Sequence, residues 1–321
     1  MIKTVVSTAI PVDERLLIKK NVIRHGNSNK RICIVTGTHG DELEGQYVCF
    51  RLNQIVQQNL EKLNGTVEIY PALNPLGIDS ITRGIPGFDL DMNRIFPGNP
   101  DGTMTEQVAY TLLRDLQGAD MVIDIHSSNI FLREIPQVRI NEHTAEKLVP
   151  YAKLLDVDFI WVHEAATVLE ATLAHSLNSL DTPTLVVEMG VGMRINHGYG
   201  NRLVNGILNL MHSLGIWAEA PETISVPTPV VSVGNQVSFL NADASGVFLT
   251  EIKNNMIVEK GEKIGEIVSP LTGEVFQTVE APTRGLLFTL RAYPIVYQGS
   301  LLARICIFRS IPVHIPVAYK A

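Results

Sequence analysis

Residues 31–56 read RICIVTGTHGDELEGQYVCFRLNQIV, and the reading of this stretch decides the fold. The apolar, β-branched run at 32–36 has the length and texture of a buried strand. Gly37 and Gly40 break it, and from residue 42 apolar side chains recur at helical spacing. A strand that feeds a helix through a short glycine-containing turn is the repeating unit of α/β layer structures. The unit recurs along the chain. Further strands are expected at 67–72, 121–125, 158–162 and 184–188, and helices at 42–59, 105–117, 170–180 and 199–214. The expected fold is therefore α/β, with a mostly parallel mixed sheet flanked by helices.

The texture changes after Ile216. Pro221, Pro227 and Pro229 close the helical region, and from Val230 onward short alternating runs are separated by Gly246, Gly261, Gly265, Gly273, Gly285 and Gly299. This predicts a larger domain over residues 1–220 and a smaller all-β C-terminal domain over 221–321. Residues 258–275, VEKGEKIGEIVSPLTGEV, resemble a biotinyl/lipoyl-type barrel. Where such domains carry their modified lysine this chain has SPLTG, so no attached prosthetic group is expected.

Composition narrows the function classes. A chain of 321 residues with 45% hydrophobic content buries a substantial core, and its formal net charge of -7 provides no basic face to neutralise phosphates. That argues against nucleic acid and for small-molecule or peptide substrates. No apolar run reaches the roughly 18–20 residues of a membrane helix, so no membrane association is expected. Acidic residues within 1–20 interrupt what would be a signal-peptide core, which gives a cytoplasmic reading. Cys33, Cys49 and Cys306 lie in apolar stretches without metal-motif spacing and read as buried packing thiols. Nothing in the composition opposes assembly into a homo-oligomer.

The chemistry begins in GTHGDELEG, residues 37–45, at the end of the first strand, where α/β proteins build sites. His39 and Glu42 stand three apart, so one turn of helix points an imidazole nitrogen and a carboxylate toward a shared metal. Alone, the pair also reads as a loop histidine and a first-turn carboxylate favoured by the helix dipole. MVIDIHSS, residues 121–128, adds His126 at the end of another strand, with Asp124 on the same face to orient its imidazole. Two histidines and one carboxylate leave a fourth tetrahedral position open, as in catalytic zinc sites, where a bound water has its pKa lowered to about 7. A base must then accept the proton and return it to the departing group, and Glu188 ends the strand TLVVEMG. The stretch 74–98, NPLGIDSITRGIPGFDLDMNRIFPG, reads as a long loop carrying Arg83, Asn93 and Arg94. Arginines there suit a substrate carboxylate or a developing oxyanion.

Taken together, these segments resemble the succinylglutamate desuccinylase/aspartoacylase family of the zinc carboxypeptidase superfamily. GTHGDELEG is similar to its HxxE ligand motif, FDLDMNR to its Asn-Arg motif, DIHSS to its second histidine motif and VVEMG to its catalytic glutamate. The order along the chain is also the family's. The resemblance implies a zinc carboxypeptidase-like fold with one zinc ion per chain held by His39, Glu42 and His126. It implies Glu188 as general base and acid, Arg83 polarising the scissile carbonyl, and Asn93 and Arg94 binding the α-carboxylate of the substrate. The implied activity is removal of an acyl group from an N-acyl amino acid, with a carboxypeptidase acting on short peptides as the alternative. A small β domain covering the site would favour the first. After Glu188 the chain reads VEMGVGMRINHGYG and departs from any pattern that fixes the substrate. Arg194 is the expected specificity residue there.

Overall fold

The computed structural model describes residues 1–164, 170–219, 228–234 and 236–308. The chain opens with an antiparallel hairpin of β1 (Ile2–Ile10) and β2 (Glu14–His25), in which Leu16, Ile18 and Lys20 face inward at alternate positions. There follow β3 (Arg31–Thr36), α1 (Glu44–Gln58), β4 (Gly65–Tyr70), α2 (Pro75–Ser80), α3 (Met104–Leu116), β5 (Met121–His126) and β6 (Leu132–Asn141). Then come α4 (Ala145–Ala152), β7 (Phe159–His163), α5 (Leu173–Ser179), β8 (Thr184–Gly190) and α6 (His197–Ser213). The remainder is β9 (Val230–Val233), β10 (Val237–Asn241), β11 (Gly246–Leu249), β12 (Met256–Val258), β13 (Lys263–Val268), β14 (Val275–Glu280), β15 (Gly285–Arg291), β16 (Ile295–Val296) and β17 (Leu301–Ile307).

The centre of the main sheet runs β4-β3-β5-β8, all parallel, with β2 and β6 added antiparallel on either side. β4 and β5 are buried at every position and β3 at all but its first, which is why they read as continuous apolar runs rather than alternating ones. Helices cover both faces. Val48, Leu52 and Val56 of α1 pack with Leu203, Ile207 and Met211 of α6 on one side. On the other, Val108 and Leu112 of α3 pack with Leu173 and Leu177 of α5 against Cys33 and Val35. Because β3, β5 and β8 run the same way in register, with His126 opposite Glu188, all three end at one edge of the sheet. Among the described residues no helix is long and apolar enough to cross a membrane. Cys33, Cys49 and Cys306 are buried and free, as expected.

The C-terminal region is β-rich, as read from its glycine-punctuated runs, with its strands antiparallel to one another, but its hydrogen bonding continues the main sheet. β15 pairs with β6 and β17, and β9 pairs with β7. β14-β13-β11-β16 forms a second, four-stranded sheet. Phe248, Ile267, Leu287 and Leu302 belong to a core of this region's own, and a smaller cluster joins its Leu286 and Phe288 to Ile135 and Phe159. The expected junction at 220/221, with Pro221 and Pro227, lies outside the described residues. SPLTG forms the turn between β13 and β14, closed by Ser269 N–H donating to the Glu274 carbonyl at 2.9 Å, with Leu271 exposed at its tip.

Three features depart from the sequence reading. The β1-β2 hairpin precedes the first strand expected, and β6 occupies a stretch where no strand was expected, because Pro136 interrupts its run and a proline demotes a strand candidate. The third is the long loop at 74–98, which contains α2 and a 3₁₀ turn at Met92–Arg94. In α6, Gly206 lies so close to α4's following turn that a Cβ would sit 2.1 Å from the Leu155 carbonyl oxygen. Gly206→Ala is expected to lower unfolding stability by about 1–3 kcal/mol. Urea denaturation measures this, and an unchanged midpoint would mean that α6 shifts freely.

Candidate active site

The turn after β3 is built by close backbone contacts. Gly37 adopts φ 68°, and a Cβ on Gly40 would meet the Gly77 carbonyl carbon at 1.9 Å, so the chain crosses α2 with no room for side chains. This places His39 and Glu42 over the end of β5. The His39 Nδ1 atom lies 2.7 Å from Glu42 Oε1, and His126 Nδ1 lies 2.9 Å from Glu42 Oε2. The two imidazole Nδ1 atoms face each other at 3.3 Å. Ser127 N–H donates to Glu42 Oε2 at 3.1 Å, and Arg83 Nη1 donates to Oε1 at 3.0 Å.

Each imidazole has a carboxylate behind it. His39 Nε2 is 3.0 Å from Asp91 Oδ1, and His126 Nε2 is 3.3 Å from Asp124 Oδ2. The Asp91 contact favours a proton on His39 Nε2, which would leave Nδ1 to ligate a cation, whereas Asp124 stands behind His126 without closing a hydrogen bond. Burial alone would raise the Glu42 carboxyl, but the His39 and His126 imidazoles outweigh it and hold it far below the usual carboxylate range. Burial likewise works against a charged His126, yet Asp124 and Glu42 raise its pKa well above the ordinary value. The local field therefore favours positive charge where the two Nδ1 atoms and the Glu42 carboxylate converge.

These three side chains, all buried, form a group able to hold a metal ion, with one ligand atom of each within 4.8 Å of the others. The donor set fits zinc. Tetrahedral ligands at bond lengths of about 2.0–2.1 Å stand roughly 3.3 Å apart, which matches the separation of the imidazole nitrogens. Facing lone pairs repel one another unless a proton or a cation lies between them.

The cavity in front of this group has a volume of about 790 Å³ and also receives Glu188, Arg83, Asn93 and Arg94. Glu188 comes from β8 beside His126, and burial raises its pKa against the opposing pull of Arg139 and His126. Arg83 also reaches Asp91 Oδ2 at 3.2 Å. Asn93 Oδ1 accepts the Leu173 N–H at 2.9 Å, which braces the 3₁₀ turn on the start of α5, and Arg94 donates to the Asn93 carbonyl at 2.7 Å.

Arg194, the expected specificity residue, stands apart from the other predicted site residues. It does not line the cavity; it is exposed and donates to the Met193 carbonyl at 2.8 Å. Its neighbours explain why: Met193 N–H is tied to the Asp41 carbonyl and Asn196 N–H to the Glu44 carboxylate, which leaves Arg194 on the outer surface between two anchors. Conversely, the sequence reading missed Asp91, although it lies inside the FDLDMNR segment beside Asn93. It also missed Arg139 and Arg304, which line the cavity from β6 and β17 and carry no local motif.

Residues 28–214 match the Succinylglutamate desuccinylase/Aspartoacylase catalytic domain. The chain belongs to this family. Over 122 residues it is 33% identical to N-alpha-acetyl-L-2,4-diaminobutyric acid deacetylase of Halomonas elongata, a stretch covering 38% of this chain and 35% of that protein. This family member thus spans about a third of the length of that curated relative. The fold is shared with the product-bound ectoine utilization protein EutE (DoeB) of Ruegeria pomeroyi, at TM-score 0.78 and 22% identity over 92% of this chain and 90% of the other. It is shared too with an aspartoacylase family protein of Mesorhizobium loti, at TM-score 0.75 and 21% identity over 96% of each.

Asp91→Ala removes the partner of His39 Nε2 and is expected to weaken divalent-ion affinity about 10–100-fold. Competition with a chromogenic chelator reads this, and wild-type affinity would show that Asp91 does not orient His39.

Proposed function

We propose that this family member is a zinc-dependent amidohydrolase that removes an acyl group from an N-acyl amino acid or a related small carboxylate. The observation that carries the proposal is the convergence of His39 Nδ1, His126 Nδ1 and the Glu42 carboxylate at the end of the parallel sheet, in one cavity with Glu188. His39, Glu42 and His126 would hold one zinc ion per chain. When bound, zinc acts as a Lewis acid toward the scissile carbonyl and acidifies a water.

The remaining chemistry falls to the chain's own groups. Glu188 takes the proton from the attacking water and returns it to the departing nitrogen, and its raised pKa suits it to both transfers. Arg83, next to Glu42, is placed to stabilise negative charge developing on the carbonyl oxygen. Arg94 and the free amide nitrogen of Asn93 bind the substrate carboxylate, which orients the amide toward Glu42 and the two histidines. A cavity of about 790 Å³ with Arg304 of the C-terminal region in its wall suits a small acylated amino acid. The deacetylase relative acts, by its name, on an N-acetylated amino acid, which agrees with this reading.

Protein purified without added zinc is expected to contain about one zinc ion per chain by elemental analysis. Glu188→Ala should keep that metal and lose at least about 100-fold in kcat, whereas His126→Ala should lose both metal and activity. The assay is amine release from N-acetyl, N-succinyl and longer N-acyl amino acids. Full activity in a metal-free His126→Ala protein would end the proposal, and preferential cleavage of short peptides would replace it with a carboxypeptidase.

A further inference from the structure

β6 carries a bulge that the proposed reaction does not account for. Across β6 and β8, Glu134 pairs with Gly190 and Gln137 with Glu188, so three steps on β6 match two on β8, around Ile135 and Pro136. In a regular strand Glu134 and Gln137 would point to opposite faces; the extra residue turns both to one face. Bulges of this kind re-aim side chains. Arg139, two residues beyond Gln137, joins the same face and lies diagonally across from Glu188.

The resulting cluster is centred on Glu134, which is fully buried. Its carboxylate accepts from Gln137 Nε2 at 2.8 Å, Arg139 Nη2 at 3.2 Å, Arg304 Nη1 at 2.9 Å and the Thr289 hydroxyl. The other terminal nitrogen of Arg139 lies 3.2 Å from Glu188 Oε1. Both arginines also stack over Trp161, each with its guanidinium carbon 5.6 Å from the ring centroid. Arg139 is thus fixed on three sides, by Glu134, Trp161 and Glu188. Two of the groups that hold Glu134, Thr289 on β15 and Arg304 on β17, belong to the C-terminal β region.

We propose that Arg139 is the positioning residue of Glu188, and that Glu134, held by Thr289 and Arg304, anchors Arg139, so that the C-terminal β region sets the aim of the general base. The proposal rests on the assignment of Glu188 as base. The charges are matched, since the Arg139 and Arg304 guanidinium groups lie beside the Glu134 and Glu188 carboxylates. Arg139 approaches one carboxylate oxygen, Oε1, of a residue that lines the cavity. A carboxylate with free torsions would sample many orientations, and a misplacement of about 1 Å costs on the order of 100-fold in rate.

The test compares Arg139→Gln, Arg139→Lys and Thr289→Val with the wild-type holoenzyme. Arg139→Gln is expected to lower kcat roughly 100-fold with KM and zinc content unchanged, and Arg139→Lys to recover part of the loss. Thr289→Val, remote from the substrate, should lower kcat several-fold with KM unchanged. Wild-type kcat in Arg139→Gln, or a loss confined to KM, overturns the proposal. A crystal structure of Arg139→Gln supplies a readout independent of turnover: the Glu188 carboxylate is expected to rotate away from its wild-type position, and an unmoved carboxylate refutes the positioning role. If Glu188→Gln is fully active, the assignment of the base fails instead, and the crystal structure still decides whether Arg139 holds Glu188.

Discussion

The buried carboxylate of Glu42 is the group on which the local architecture depends. An ionised carboxylate taken out of water costs several kcal/mol unless it is met by opposite charge and hydrogen-bond donors. Here the partners come from three separate segments: His39 in the same turn, His126 and the Ser127 N–H at the end of β5, and Arg83 beyond α2. None of these can move far without leaving Glu42 unpaired. The requirement therefore ties the glycine turn, the central strand and the 74–98 segment into one rigid unit. The same field that raises the pKa of His126 would also favour a divalent cation at this group.

A second constraint is strand register. Parallel pairing of β3, β5 and β8 brings their carboxyl ends together, and the pairing of His126 with Glu188 sets that carboxylate beside the group of His39, Glu42 and His126. β6 continues the sheet antiparallel and, through its bulge, turns Glu134, Gln137 and Arg139 toward the same region. From there the hydrogen bonding passes to β15 and the ion pairing to Arg304 on β17. The C-terminal β region is therefore connected to the site by backbone pairing and buried charge, beyond simple contact at its rim. Its own apolar core keeps those strands rigid enough to hold Arg304 and Thr289 in place.

Several parts of this arrangement could be read from residue order alone. The central strands are buried on both faces and so appear as unbroken apolar runs, and α1, α3 and α6 show their periodicity for the same reason of burial. His39 and Glu42 are neighbours in sequence, and His126 and Glu188 each finish a strand, so the type and placement of these side chains were legible before any coordinates. The β1-β2 hairpin and β6 were not, since half-exposed strands with charged faces and an internal proline resemble loops. The placement of Arg194, exposed and outside the cavity lining, was not legible either. Its orientation follows from main-chain hydrogen bonds to Asp41 and Glu44, partners more than a hundred residues away.

The sequence by itself determined the α/β class, the β texture of the C-terminal region and the candidate ligand and base residues. Each of these depends on local periodicity or on short spacing, and such signals survive in a linear chain. Tertiary structure alone decided that Asp91 stands behind His39 and that Arg139 grips Glu188. It also decided that Arg304 reaches the cavity from the far end of the chain. Those pairings depend on register, on one bulged residue and on the return of β17 to the sheet. Loop closure over such separations leaves no trace in the spacing of the residues it joins.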